Sequence, residues 1–210
     1  MLLIILTVLA TIAAALTISA EYHGSRQTLY FAKPLAILLI IVLVLVPKYP
    51  VSLFYKYMIL AGLVCSLIGD VFLMLESNRF IHGLISFLIA HMFYSAAFLV
   101  EGGRAVSMWA ALPLFAFGGL MLWFLWRGLG KLKVPVIVYM LALLVMAWAG
   151  SSRYLVTGQG GSLLAAAGAI LFVASDSVLA IDKFRGRFRL AQLLILATYF
   201  IAQCLIALST

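Results

Sequence analysis

Charge is scarce in this sequence. Only 10% of its 210 residues are charged and 67% are hydrophobic, whereas a soluble domain carries roughly 25% charged residues. So few polar groups cannot cover a globular surface, which excludes a water-soluble domain. The mean hydropathy of +1.24 makes lipid the surroundings. Cysteine is limited to Cys65 and Cys204, both inside apolar runs. They read as small buried residues rather than as a disulfide or metal site. The five prolines, Pro34, Pro47, Pro50, Pro113 and Pro135, fall at or near the ends of the runs. Paired mid-membrane Gly/Pro interruptions, which mark discontinuous transport helices, are therefore missing.

What is present is a series of apolar runs, and about 20 such residues in helical form cross a bilayer. They lie near Leu2–Ala20, Lys33–Val46, Tyr57–Leu75, Phe80–Val100, Val106–Trp126, Val134–Ala149, Ser162–Ile181 and Leu190–Leu208. The second is short and can begin near Leu29, with Lys33 snorkelling to the headgroups. None alternates apolar and polar residues as the strands of a membrane barrel do. The fold expected is an all-α membrane protein, a bundle of eight transmembrane helices, with residues 1–210 forming a single polytopic domain. The first run lacks a positive n-region and is long for a signal peptide, so it is taken as a retained helix.

The formal net charge of +8 would suggest a nucleic-acid partner in a soluble protein; here it reads as topology, and no nucleic acid is expected. Eight spans divide the loops into two sets. One set holds ten basic residues: Arg26, Lys33, Arg79, Arg127, Lys131, Lys133, Lys183, Arg185, Arg187 and Arg189. The other holds four: Lys48, Lys56, Arg104 and Arg153. Positive charge favours the cytoplasmic side, so the richer set is expected there, with both termini outside (N-out/C-out), in a bacterial inner membrane. The run from Lys183 to Arg189 either anchors the chain on anionic headgroups or contacts a substrate phosphate.

Acidic residues number six, so their positions are informative. Glu21, Glu76 and Glu101 fall at run ends or in loops, and Asp182 at an inner end beside the basic cluster. Asp70 and Asp176 each lie five residues before the inner end of a run, which places both carboxylates roughly 7–8 Å inside the boundary at 1.5 Å per residue. A carboxylate facing lipid is costly, so both should face the bundle interior or a wet cavity. Gly62, Ser66 and Gly69 form a small-residue stripe beside Asp70 that permits close packing. His91 and Tyr94 share a face of the fourth run, and Tyr199 and Gln203 share one of the eighth. Each of these groups taken alone reads as an interhelical hydrogen bond. Together they would line an apolar pocket with a polar mouth, suited to a single-chain lipid. A faint similarity between residues 67–73 and 173–179 is weak enough to be chance.

The combination resembles the YhhN-like lysoplasmalogenases. The resemblance rests on Lys33-Pro34-Leu35, Gly69-Asp70, His91 and Tyr94, Ser175-Asp176, and Thr198 through Gln203. It implies hydrolysis of the vinyl ether bond of lysoplasmalogens, giving a fatty aldehyde and glycerophospho-ethanolamine or glycerophospho-choline, without metal or organic cofactor. The partners implied are a lysophospholipid substrate and the bilayer. Two carboxylates in a poorly solvated site suit that chemistry, because one can be held protonated while the other stays ionised. Asp70 and Asp176 are the expected catalytic pair, in either order. His91, Tyr94 and Tyr199 would position water or the glycerol hydroxyl, Gln203 would contact the substrate beside them, and Lys33 and an arginine of the Arg185–Arg189 cluster, taken as Arg185, would bind the phosphate. A proton-coupled transporter using the same two carboxylates is the rival expectation, and a non-enzymatic membrane scaffold, which would need neither carboxylate, is a third.

Overall fold

Some helix limits in this chain, the ends of α1 and α6 and the start of α3, are set by capping rather than by hydropathy. The computed structural model describes residues 1–46, 48–75, 79–103 and 106–210. Among these, α1 spans Leu2–His23, α2 Arg26–Val44, α3 Leu53–Met74, α4 Phe80–Glu101, α5 Ala111–Leu125, α6 Lys133–Thr157, α7 Gly160–Phe184 and α8 Ala191–Leu208. All eight expected spans are found as helices long and apolar enough to cross a membrane, with a short 3-10 turn extending α5 and α6 at their starts. Pro47, Glu76 and Arg104, assigned to connections from sequence, lie outside the described residues.

Several helices run past the expected ends. Gly24 and Gly158 close α1 and α6 in the left-handed region, at φ 69 and φ 61, where a side chain would be strained. The Ser52 hydroxyl accepts from the Tyr55 amide and starts α3, a standard N-cap arrangement. Hydropathy marks the hydrocarbon crossing, while polar flanking residues continue the helix into the interface. Two expectations change as a result. Pro34 lies inside α2 rather than at its start. Arg153 belongs to α6, where it is buried with its guanidinium 4.4 Å over the Tyr55 ring, and is not a loop charge.

The helices close a ring in the order α1, α2, α3, α4, α6, α7, α8 and back to α1. Helix α5 stands outside the ring, packed on α6 and touching α7, and of its own residues only Gly118 and Leu125 are buried. The closest pairings depend on glycine. A Cβ at Gly62 would come 2.2 Å from Tyr94, one at Gly69 2.7 Å from Phe87, and one at Gly168 2.8 Å from the Ala202 carbonyl. The small-residue stripe of α3 thus seats two aromatic rings of α4. Large apolar side chains such as Ile4, Val8, Ile12, Leu120 and Trp123 point outward, as lipid-facing surfaces require.

Candidate active site

At the end of the bundle that carries Lys183 and Arg187, the ring opens into a cavity of about 840 Å³. That size lies within the range of small-molecule sites, roughly 300–1,000 Å³. Both Asp70 and Asp176 line it, although they come from helices far apart in sequence. Asp70 lies four residues before the end of α3. Asp176 lies eight before the end of α7, because α7 continues to Phe184 rather than stopping at Ile181.

The two carboxylates have different partners. Asp70 is almost wholly buried. Its Oδ1 is 2.9 Å from the Lys33 Nζ, and its Oδ2 accepts from the Tyr199 hydroxyl at 2.7 Å. Both oxygens are thus occupied by donors, one of them cationic. Asp176 accepts a short hydrogen bond from the Tyr139 hydroxyl through Oδ2. Among the described residues no lysine or arginine nitrogen lies within ion-pairing distance of it. One carboxylate is therefore held by a positive charge and the other by a neutral phenol.

Apolar walls surround this pair. Leu84 and Phe87 of α4, Met121 and Leu125 of α5, and Val136 and Leu143 of α6 line the interior. The deep end is closed by aromatic rings packed edge to face: Phe172 lies 6.3 Å from Phe87, 5.5 Å from Tyr199 and 4.8 Å from the His91 ring. The mouth is polar and mixed in sign, with Glu21, Ser25, Asp182, Lys183, Arg187 and Gln192.

Of the residues singled out from sequence, Asp70, Asp176, Lys33 and Tyr199 meet at this cavity. His91, Tyr94 and Gln203 are fully buried and are not among its lining residues; the aromatic layer stands between. Tyr94 donates to the Gln203 Oε1 at 2.8 Å, while both ring nitrogens of His91 lack a hydrogen-bond partner among the described residues and its ring packs on Tyr139. Equal depth along a helix does not decide which way a side chain points, so these three fall behind the pocket instead of lining it. Lys33 faces Asp70 rather than the mouth. Arg185 also turns away: its guanidinium lies 4.6 Å over the Phe124 ring, while Gly186, at φ 141, reverses the chain and Arg187 reaches the cavity instead.

Sequence reasoning missed Tyr139. It is the sole hydroxyl in the apolar run 134–149, a signal that could have marked it. It also passed over the mouth residues Glu21, Ser25 and Gln192. Among the described residues no three His, Cys, Asp or Glu side chains gather closely enough to hold a metal ion.

The profile of the YhhN family matches residues 28–210. Lysoplasmalogenase TMEM86A of Bos taurus is 36% identical over 156 residues, covering 72% of this chain and 64% of that protein. Human lysoplasmalogenase TMEM86B is also 36% identical over 156 residues, covering 74% of this chain and 64% of its own length. The uncharacterized membrane protein YhhN of Escherichia coli O6:H1 is 30% identical over 200 residues, 94% of each chain. The chain thus spans a little under two thirds of the length of the TMEM86 relatives it matches. No solved structure matches it significantly.

Proposed function

The chain belongs to the YhhN family, and we propose that it is a lysoplasmalogenase-like hydrolase, cleaving the vinyl ether bond of lysoplasmalogens inside the membrane. The observation that carries this is the unequal carboxylate pair on one cavity: Asp70 is paired with Lys33, whereas Asp176 is hydrogen-bonded by Tyr139 and, among the described residues, has no lysine or arginine within ion-pairing distance. Relatives bearing the lysoplasmalogenase name support the choice of substrate.

The asymmetry supports one division of roles. Asp176, without a cation beside it, carries the proton and delivers it to the β-carbon of the vinyl ether. The double bond's electron pair forms the new C–H bond, leaving an oxocarbenium ion at the carbon attached to oxygen. Asp70, held ionised by Lys33 and Tyr199, faces that positive charge and stabilises it, as fixed charges in a water-poor site do. Water adds to the oxocarbenium carbon and loses its proton to the Asp176 carboxylate, which restores the acid. The resulting hemiacetal collapses: its hydroxyl proton passes to the glycerol oxygen, the C–O bond breaks, and a fatty aldehyde leaves with glycerophospho-ethanolamine or glycerophospho-choline. One water is consumed. Glycoside hydrolysis meets an oxocarbenium-like state with two carboxyl groups in a comparable way.

At the mouth, Lys183 and Arg187 suit the substrate phosphate, and Glu21 and Asp182 suit the headgroup ammonium. Tyr139 orients the proton donor, Tyr199 orients its partner, and Tyr94, Gln203 and His91 support the layer behind. The basic end is cytoplasmic and both termini are external, in keeping with the charge asymmetry, and the membrane is a bacterial inner membrane. A transporter would draw on the same buried Lys33–Asp70 pair, but the aromatic layer at Phe87, Phe172 and Tyr199 closes the cavity's deep end, which disfavours a through path.

The test is incubation of the purified protein in nanodiscs with a lysoplasmalogen, reading fatty aldehyde by mass spectrometry against a saturated alkyl-ether lysolipid. Aldehyde from the vinyl ether alone, lost in both Asp70→Asn and Asp176→Asn with folding intact, is the expected result. Absence of aldehyde across headgroups and pH would end the hydrolase proposal and leave proton-coupled transport to test. Cysteine labelling of the Arg185–Arg189 segment from either side of vesicles reads the orientation.

A further inference from the structure

The cavity is shallow beyond its carboxylates. At about 1.5 Å per residue, Asp176 lies roughly 12 Å from the end of α7. Leu143, the lining residue furthest along α6, lies roughly 15 Å from the start of that helix. Past it the rings of Phe87, Phe172 and Tyr199 close the space. One leaflet of hydrocarbon is about 15 Å deep, half of a core of about 30 Å. A lipid chain attached at the reacting bond therefore does not fit between the carboxylates and the floor, and must leave the bundle sideways.

A second hollow gives the direction. On the lipid-facing side between α2 and α3 lies a groove of about 190 Å³, walled by Tyr30, Pro34, Val71, Met74 and Leu75. Tyr30 and Met74 line both this groove and the cavity, so they form the partition between them. The partition is weakly held. The Tyr30 hydroxyl donates to the Met74 carbonyl at 3.4 Å, long for such a bond. Pro34 has no N–H, so the carbonyl of Tyr30, four residues earlier, loses its usual i+4 donor and the helix is loosened there. The seam also sits beside the chemistry. Lys33 is three residues from Tyr30, and Val71, which follows the inward-facing Asp70, is exposed toward lipid.

We infer that the substrate's hydrocarbon chain passes through the α2–α3 seam into the leaflet at the basic end, with the Tyr30–Met74 contact as its gate and the Pro34–Val71–Leu75 groove as its seat. The inference rests on the lysolipid-hydrolase proposal for the cavity. The polar headgroup stays at the mixed-charge mouth, the vinyl ether lies against Asp70 and Asp176, and the chain remains solvated by its own leaflet. The enzyme then has no blind pocket with which to measure chain length.

A non-hydrolysable probe tests the route independently of turnover: a saturated alkyl-ether lysophospholipid with a diazirine a few carbons from the ether oxygen, irradiated with the protein in nanodiscs. Adducts competed away by excess unlabelled alkyl lysolipid are expected on Pro34, Val71 and Leu75. In parallel, Val71→Trp should lower the ratio of long-chain to short-chain hydrolysis rates about tenfold, or about 1.4 kcal/mol in barrier. Competed adducts on Phe87 and Leu143, or on Met121 and Leu125, would overturn the route while leaving the hydrolase proposal standing. Seam adducts without aldehyde from a vinyl ether substrate would keep the lipid path and reject the hydrolase. No competed adduct anywhere would overturn the inference.

Discussion

Replacing Lys33 by Met would remove the ammonium 2.9 Å from Asp70 while leaving that carboxylate 1% exposed. Removing one partner of a buried ion pair costs about 3–5 kcal/mol, because the other charge is left uncompensated. The Tyr199 hydroxyl still donates to Asp70, and the cavity admits water at the pair's edge, so about 3 kcal/mol is expected, near the lower limit of that range. Asp70→Asn is the milder change, about 1 kcal/mol, since the long Lys33 side chain can snorkel toward the mouth. If the pair is real, the double variant loses less than the sum of the two singles, by about 2 kcal/mol of coupling. Unfolding in mixed micelles by SDS titration measures all three against wild type. Additivity within about 0.5 kcal/mol, or a Lys33→Met protein as stable as wild type, would refute the ion pair and with it the assignment of Asp70 as the ionised partner. Aldehyde production should be lost in both single variants whatever their stability.

Tyr139→Phe removes the hydrogen bond to Asp176 and should lower kcat about tenfold or more with KM little changed, given about 1.5–3 kcal/mol for a bond to the carboxylate charge that develops as Asp176 gives up its proton; an unchanged kcat would detach Tyr139 from the proton donor. Gly69→Ala places a methyl 2.7 Å from the Phe87 ring and should cost about 1–3 kcal/mol by overpacking, together with activity, since that ring floors the cavity; full activity would show that the floor can shift freely. His91→Leu removes two unpartnered buried nitrogens and should leave stability equal or higher, because desolvated groups without partners are costly. A loss above about 2 kcal/mol in SDS unfolding would reveal a hidden partner, such as an ordered water.

The route from sequence to site was uneven, and particular residues show why. Asp70 and Asp176 were legible because the bilayer penalises a carboxylate facing lipid, so any acid within an apolar run must turn inward. Lys33 stands out by its charge, but nothing in its spacing reveals that α2 packs beside α3 and directs it to Asp70 rather than to a phosphate. Tyr139 carries no charge to mark it as inward-facing, and its partner lies 37 residues away in another helix. His91 and Tyr94 share a face as their spacing requires, but that face meets α3, α6 and α8 side chains behind the aromatic layer rather than the cavity.

By itself the sequence determined the number of spans, their helical form and the presence of two inward acids. Each follows from a segment's transfer between water and hydrocarbon, a property read one run at a time. Tertiary structure alone decided that α5 stands outside the ring, that Asp70 has a lysine and Asp176 a phenol, and that Arg187 rather than Arg185 reaches the mouth. Those outcomes depend on how each helix is rotated about its axis and which neighbour it meets. Close approach at Gly62, Gly69 and Gly168 fixes that rotation, because lipid tails, as apolar as the side chains, leave packing and hydrogen bonds to choose between arrangements of equal hydropathy.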